Sequence, residues 1–296
     1  MATDRERRIV RYGLLAVEMK NYIRLLAGLV IATASLRGDE QLFGFVRGAE
    51  TLPAGRAEVY QFTTFRTGKD SGTYYGLDFD TEVEYGFTDE FQASASLVNH
   101  YFYNRNVDGL DNSNGYRFGG GELSAKYRLL SPFKDPIGFA LRLESGYLLH
   151  DEVDGLPQHE VYLAPELDLQ KNFLDDTLIV DVNLGPEWAW GKLPAEQYSH
   201  EISLQAGTGI SYRFAPNWFI GLESRIRAEY PLFDFGNFEH AVVYAGPSIH
   251  YSSKRWWATL TWVYQAWGHG VDEPQRGQTF AEETRQAFRL KVGFNF

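Results

Sequence analysis

Seven histidines and a surplus of carboxylates are the side chains of this 296-residue chain best suited to chemistry. Several lie side by side, in His150-Asp151-Glu152, His159-Glu160, His200-Glu201 and Glu239-His240. Imidazole next to carboxylate can hold a divalent cation or titrate near neutral pH. No fixed ligand spacing links these pairs, however, and exposed loops commonly carry them, so spacing assigns no metal residue. A hydroxyl and an imidazole fall two residues apart in His250-Tyr251-Ser252 and three apart in His200-Glu201-Ile202-Ser203. Such neighbours are what a hydroxyl nucleophile and its base require. The chain has no Cys, which removes thiolate nucleophiles, disulfides and thiolate metal sites. No pair stands out as nucleophile and base, so we expect no enzyme: no catalytic residue, no metal residue and no cofactor.

The elements that would position these groups are strands. In the last nine residues Phe288, Leu290, Val292, Phe294 and Phe296 alternate with Arg289, Lys291, Gly293 and Asn295. A period of two places the two sets on opposite faces of a β-strand. From Arg56 onward no helical periodicity of useful length interrupts the same pattern. Tyr75, Leu77, Phe79, Thr81, Val83 and Tyr85 oppose Asp78, Asp80, Glu82 and Glu84, and Leu123, Ala125, Tyr127 and Leu129 oppose Lys126 and Arg128. Leu141 and Leu143 oppose Arg142 and Glu144; Leu163, Pro165, Leu167 and Leu169 oppose Glu166 and Asp168. Leu178, Val180, Val182 and Leu184 oppose Asp181 and Glu187, and Ile220, Leu222 and Ile226 oppose Glu223, Arg225 and Arg227. The first strand, about Ala57 to Arg66, has no clear facing. Twelve strands are predicted in all.

The mean hydropathy of −0.33 hides this alternation, because one face of each strand cancels the other. Connections alternate in length. Short ones are expected at 88–90, 131–136, 171–177, 215–217 and 252–255, and longer ones at 104–116, 151–158, 191–200, 231–240 and 268–284, with a short polar loop at 67–72. An even strand number with short turns on one side and long loops on the other predicts a closed antiparallel up-and-down transmembrane β-barrel, all-β, with both termini periplasmic. Aromatics, 16% of the chain, gather at strand ends: Phe87, Phe91, Tyr127, Phe214, Trp218, Tyr251, Trp256 and Phe296 at one, and Tyr75, Tyr147, Trp188, Trp190, Tyr230 and Tyr264 at the other. Rings with one apolar and one wet side favour that interfacial depth. His100, His150, His159, His200, His240 and His269 then fall near the outer strand ends. A soluble sandwich also alternates, but it has no use for aromatic belts around both rims.

The N-terminus reads as an export signal. Lys20 and Arg24 precede the apolar run Leu25–Ala34, which ends on the cleavage pattern Ala32-x-Ala34. The run is too short to span a bilayer. Translation is expected to start at Met19, leaving 1–18 as an upstream extension. Residues 1–34 hold six basic and three acidic side chains, so their removal takes the net charge from −11 to −11 − 3 = −14. Residues 35–55 read as a periplasmic lead-in without structure before Pro53, and 56–296 as the barrel. An acidic chain without a basic tract excludes nucleic acid as a partner.

The segments Arg47–Gly55, Glu82–Asp89, Lys126–Gly138, Gln170–Thr177 and Arg289–Phe296 resemble an uncharacterised family of bacterial outer-membrane β-barrel proteins. The resemblance implies an outer-membrane location and no assigned activity. Strand 288–296 is also similar to the terminal strand that the barrel-assembly machinery reads in such proteins, which makes Phe288, Leu290, Val292, Phe294 and Phe296 an expected assembly signal. Outer-membrane lipid and lipopolysaccharide are the implied surroundings. A twelve-stranded outer-membrane phospholipase has His and Ser two apart on a strand, as in His250-Tyr251-Ser252, but here that pair falls at the periplasmic end. An omptin-like protease needs paired acids that His150-Asp151 alone does not supply.

The residues opposite the apolar face line the lumen: Asp78, Asp80, Glu82, Glu84, Lys126, Arg128, Arg142, Glu144, Glu166, Asp168, Asp181, Glu187, Glu223, Arg225, Arg227, Arg289 and Lys291. Eight strands enclose a lumen that side chains fill, and sixteen leave an aqueous channel. Twelve lies between. The expected function is a passive porin-like channel for small polar or cationic solutes. A closed structural barrel acting through its outer loops is the alternative, and an outer-membrane hydrolase the second.

Overall fold

In the computed structural model, the described residues are 41–151, 153, 155–192, 198–271, 277–280 and 283–296. The expected signal peptide and the extension before it lie outside them. Twelve strands follow in chain order: β1 (Ala57–Thr67), β2 (Thr73–Gly86), β3 (Phe91–Arg105), β4 (Ser113–Leu130), β5 (Gly138–His150), β6 (Pro157–Phe173), β7 (Leu178–Lys192), β8 (Tyr198–Ala215), β9 (Trp218–Pro231), β10 (His240–Ser252), β11 (Trp256–Gly270) and β12 (Gln286–Asn295). Each pairs antiparallel with its sequence neighbours, and β1 pairs with β12, from Glu58 opposite Asn295 to Thr67 opposite Gln286. The sheet is a closed barrel.

The alternation in sequence becomes an inside and an outside. Leu123 is 66% exposed and Leu222 65%, whereas Lys126 and Glu223 on the other parity are 2% and 3% exposed. Charged side chains are buried and large apolar ones bare, the reverse of a soluble core. This arrangement suits a barrel immersed in hydrocarbon, where every backbone N–H and C=O must be paired within the sheet. Two aromatic girdles ring the outer wall. Trp218, Tyr251 and Trp256 pack in sequence with tilted rings at 4.9 and 4.8 Å near the short turns, and Phe65, Tyr75 and Tyr103 follow one another at 5.8 Å toward the loops.

The short connections share one end of the barrel, the turn end, and the others share the loop end. The strands β3 and β4 reach farther than their sequence suggests. Tyr101 and Tyr103 continue the alternation of β3 opposite Tyr116 and Asn114 of β4, so the loop expected over 104–116 shrinks to 106–112. The facing of β1 is settled by its partner. Pairing with β12 turns Tyr60 and Phe62 inward, where Lys291 Nζ lies 4.8 Å from the Phe62 ring and Trp257 lies 5.8 Å from Tyr60.

Leu222 sits near mid-depth between the girdle residues Trp218 and Tyr230. Leu222→Arg should cost about 2–4 kcal/mol of folding free energy in lipid vesicles. The same change at Leu174, on a turn and 68% exposed, should cost close to nothing. Equal costs in urea titrations followed by tryptophan fluorescence would contradict the lipid-facing assignment.

Candidate functional site in the barrel lumen

Residues 41–52 do not hang below the barrel as a lead-in. They run inside it, as a strap across the turn-end part of the lumen, with Leu42, Phe43, Val46 and Ala49 all buried. This corrects the expectation for that part of 35–55. The physical reason is in the strap's composition, since Leu42-Phe43-Gly44-Phe45-Val46 is too apolar to stay in water.

A backbone brought into a lumen without joining a ladder must find other partners for its polar groups. The wall supplies them from side chains. Glu223 on β9 accepts three consecutive N–H groups: Gly44 on Oε1 at 2.8 Å, and Phe45 and Val46 on Oε2 at 2.8 and 3.2 Å. Thr261 also donates to it at 2.8 Å. Asn183 on β7 accepts from Arg47 N–H at 2.8 Å and donates to Arg47 O at 2.9 Å. Ala49 N–H donates to Gln170 and Leu52 N–H to Gln92. Lys126, Lys291 and Thr259 donate to the carbonyls of Gly48, Phe43 and Gln41 at 2.5, 3.0 and 2.6 Å.

The strap's rings are seated as well. The Phe43 ring occupies a recess that exists because Gly209 has no side chain; a Cβ there would lie 2.6 Å from the ring. Phe45 is held between two guanidinium groups, Arg225 at 4.2 Å and Arg289 at 4.1 Å. Cations over an aromatic face are attracted by its quadrupole.

Beyond the strap the wall is a network of ion pairs. Arg66 reaches Asp78 with two bonds of 2.8 Å, and His100 Nδ1 lies 2.9 Å from the same carboxylate. Arg142 pairs with Glu144 and stands 3.6 Å from Glu166, and Lys126 stands 3.6 Å from Asp168. Arg227 lies 2.6 Å from Glu229 and 3.5 Å from Glu187. Arg47 of the strap reaches to 3.9 Å from Glu144. Among these, Arg47, Glu144, Glu187 and Arg227 keep about a fifth to a third of their side-chain surface accessible, so water-sized space persists between them.

At the loop end, Thr279, Phe280 and Thr284 are packed inward against the wall. Gln265 exchanges two bonds of 2.8 Å with the backbone of Thr279, Tyr244 donates to Thr284 O, and Phe280 is buried beneath Arg285. Burial alone would raise the Glu283 carboxyl, but the neighbouring His240, with Arg227 and Arg225, holds it down to about 2.

All seventeen residues expected on the lumen face are buried or half-buried, on the parity opposite the apolar wall. Arg128 lies at the rim, donating to Asp89 O at 2.7 Å. Asp80, Glu82, Glu84, Asp168, Asp181, Glu187, Arg225, Arg289 and Lys291 belong to the lumen proper. The outward set Phe288, Leu290, Phe294 and Phe296 is exposed, with Val292 half-covered. Sequence reading missed the uncharged anchors Gln92, Gln170, Asn183, Thr259 and Thr261. It had a usable sign of them in the inward parity of polar residues on otherwise apolar strands.

The expected histidine rim is not one surface. His100 and His240 are buried inside the barrel, His159 bonds Tyr147 at 2.7 Å, and His200 and His269 pack on Phe233 and Phe238. His150 bonds Phe118 O at 3.0 Å. His250 is buried at the turn end with Nδ1 2.7 Å from Thr259 Oγ1. The parity of a strand puts His200 and Ser203 on opposite faces.

The outer wall carries one further feature. Pairing of β6 with β7 is continuous up to Leu163 opposite Trp188 and resumes at Leu167 opposite Leu184. Pro165 and Pro186 fall opposite each other in the gap, and neither can donate to a ladder. A lipid-facing groove of about 740 Å³ lies over this seam, walled by Leu141, Leu143, Leu167, Leu184 and Leu204, with Arg142, Glu166 and Gln205 also lining it.

A closed twelve-stranded antiparallel barrel, apolar outside, charged inside and girdled by aromatics, defines an outer-membrane β-barrel protein. Residues 35–296 match the model of a family of unknown function, DUF6662, and the chain belongs to that family. No curated protein matches its sequence. Its fold is similar to that of the COG4313 outer membrane channel from Pseudomonas putida F1, with a TM-score of 0.57 and 12% identity over 83% of this chain and 97% of that one. It is also similar to the β domain of the Bordetella autotransporter Brka, with a TM-score of 0.50 and 10% identity over 81% of this chain and 99% of the other.

Glu223→Ala strips three strap N–H groups of their acceptor, each loss worth about 1–3 kcal/mol, and Gly209→Leu fills the Phe43 recess. Arg47 is the one trypsin site within residues 41–52. In detergent-purified protein, trypsin should cut after Arg47 at least about tenfold faster in either variant, the change expected for 1.4 kcal/mol. Unchanged cleavage in both would mean that these contacts do not hold the strap.

Proposed function

We propose that this protein is a narrow outer-membrane channel for small polar solutes, closed in the conformation described by its own N-terminal strap. The observation that carries this reading is the manner in which the strap is held. It joins no β-ladder, and side chains of the wall satisfy its backbone one group at a time. Such contacts can be exchanged for water without opening the barrel, whereas a thirteenth strand could not leave. A second support is the wall itself. A permanently sealed barrel is best filled with apolar side chains, because burying ion pairs gains little over well-packed hydrophobes. Here the wall keeps ten carboxylates and seven basic groups among the residues expected to line it, which favours cations over anions.

In this reading both termini face the periplasm, the strap enters from that side, and the loop end faces outward, where Thr279, Phe280 and Thr284 pack inward at the second mouth. The role is transport rather than hydrolysis, and the partners are membrane lipid, lipopolysaccharide and the permeating solute. The Pseudomonas putida protein of similar fold is an outer membrane channel, which agrees with the proposal.

Planar bilayers test it. The mature chain should show small or rare conductance steps, and a chain lacking residues 35–52 should show frequent, larger, cation-favouring steps. A strap-deleted barrel that runs as folded on an unheated gel yet never conducts would refute the channel and favour the closed structural barrel.

A further inference from the structure

At the loop end, β9 and β10 bring Glu229 and His240 directly opposite each other. Glu239 immediately precedes His240, and its N–H donates to Glu229 O at 3.0 Å, which fixes where the chain leaves the ladder. One ligand atom each of Glu229, Glu239 and His240 lie within 4.8 Å of one another. His240 is 2% exposed, and neither of its ring nitrogens has a hydrogen-bond partner among the described residues. A buried imidazole with both nitrogens unbonded is costly unless something occupies the space between it and its neighbours. The two nitrogens face different carboxylates: Nδ1 is 3.7 Å from Glu229 and Nε2 is 3.7 Å from Glu283.

We infer that this cluster is a binding site for a divalent transition-metal cation, with His240 Nδ1, Glu229 and Glu239 as its ligands. The donor set of one imidazole and two carboxylates suits zinc or manganese. Zinc bonds of about 2.0–2.2 Å in a tetrahedron place ligand atoms roughly 3.4 Å apart. The 3.7 Å between His240 and Glu229 is close to that, and rotation of the Glu239 carboxylate closes the remainder. Glu283 completes the pattern from the other side. A metal-bound histidine ordinarily gives its second N–H to a carboxylate, which sets the tautomer and raises the basicity of the ligand nitrogen. Here Nε2–H would point to Glu283 and leave the Nδ1 lone pair to the ion.

The charges around the cluster agree. Glu201 on β8 interacts with both Glu229 and Glu239, and Arg227 binds the other oxygen of Glu229 at 2.6 Å, leaving Oε2 free to turn to the metal. A bound ion would tie the hairpin end of β9 and β10 to Glu283, which lies just ahead of β12 at the loop end. The arrangement does not depend on whether the lumen conducts.

Isothermal titration of untagged, detergent-purified protein with zinc chloride, and separately manganese chloride, tests the site. The expected result is one zinc ion per chain, lost in His240→Asn, weakened at least about tenfold in Glu283→Gln as orienting carboxylates generally require, and unchanged in His159→Ala. Zinc at a hundred times its Kd should also raise the apparent unfolding temperature of the parent and not of His240→Asn. Should His240→Asn fail to fold on an unheated gel, Glu239→Gln, outside the strands, carries the same test. No binding at millimolar zinc, or binding that survives both substitutions, overturns the assignment.

Discussion

Hydrocarbon cannot hydrogen-bond a peptide group, and everything else in this molecule follows from that. Each strand must have two neighbours, so the sheet closes where β1 meets β12. Closure makes one parity of each strand the outside and the other the inside, and the side chains have followed. Leu222 and Leu123 lie bare on the wall while Glu223 and Lys126 are covered within it. One stretch where the rule slackens, Pro165 opposite Pro186, lies beneath a groove walled mainly by leucine.

The same demand governs the strap, with a different solution. Residues 41–52 enter a lumen whose wall has already used its backbone donors and acceptors in the barrel. Only side chains remain to receive them, and Glu223, Asn183, Gln170 and Lys126 do so. A single carboxylate accepting three successive N–H groups is a concentrated anchor, since hydrogen bonds to charged acceptors contribute more than neutral ones. It also leaves the strap reversible in principle, because no ladder has to break for it to leave. A permanent filling and a removable closure differ in just this respect.

Charge in the lumen therefore has two duties. Some groups are structural, as Lys126 is for Gly48 and Lys291 for Phe43. Others, such as Arg227 and Glu187, keep accessible surface and define the polar space above the strap. The cluster of Glu229, Glu239 and His240 stands apart from both, at the mouth, where a cation would find an excess of carboxylates.

Alternation and turn spacing were sufficient to read twelve strands, the barrel, its inside and its outside, because a period of two is a property of neighbouring residues alone. The charged wall was legible for the same reason, down to individual residues such as Asp168 and Glu223. What the sequence could not determine was what those residues touch. Strap and wall are far apart along the chain, Gly44 and Glu223 by 179 residues, and no local pattern encodes such a pairing. The inward turn of Tyr60 and Phe62 likewise depended on the register of β1 against β12, and the burial of His100 and His240 on strands reaching beyond their expected ends. Only closure of the sheet brings these groups together, so tertiary structure alone decided that the lumen is strapped and where Glu229, Glu239 and His240 converge.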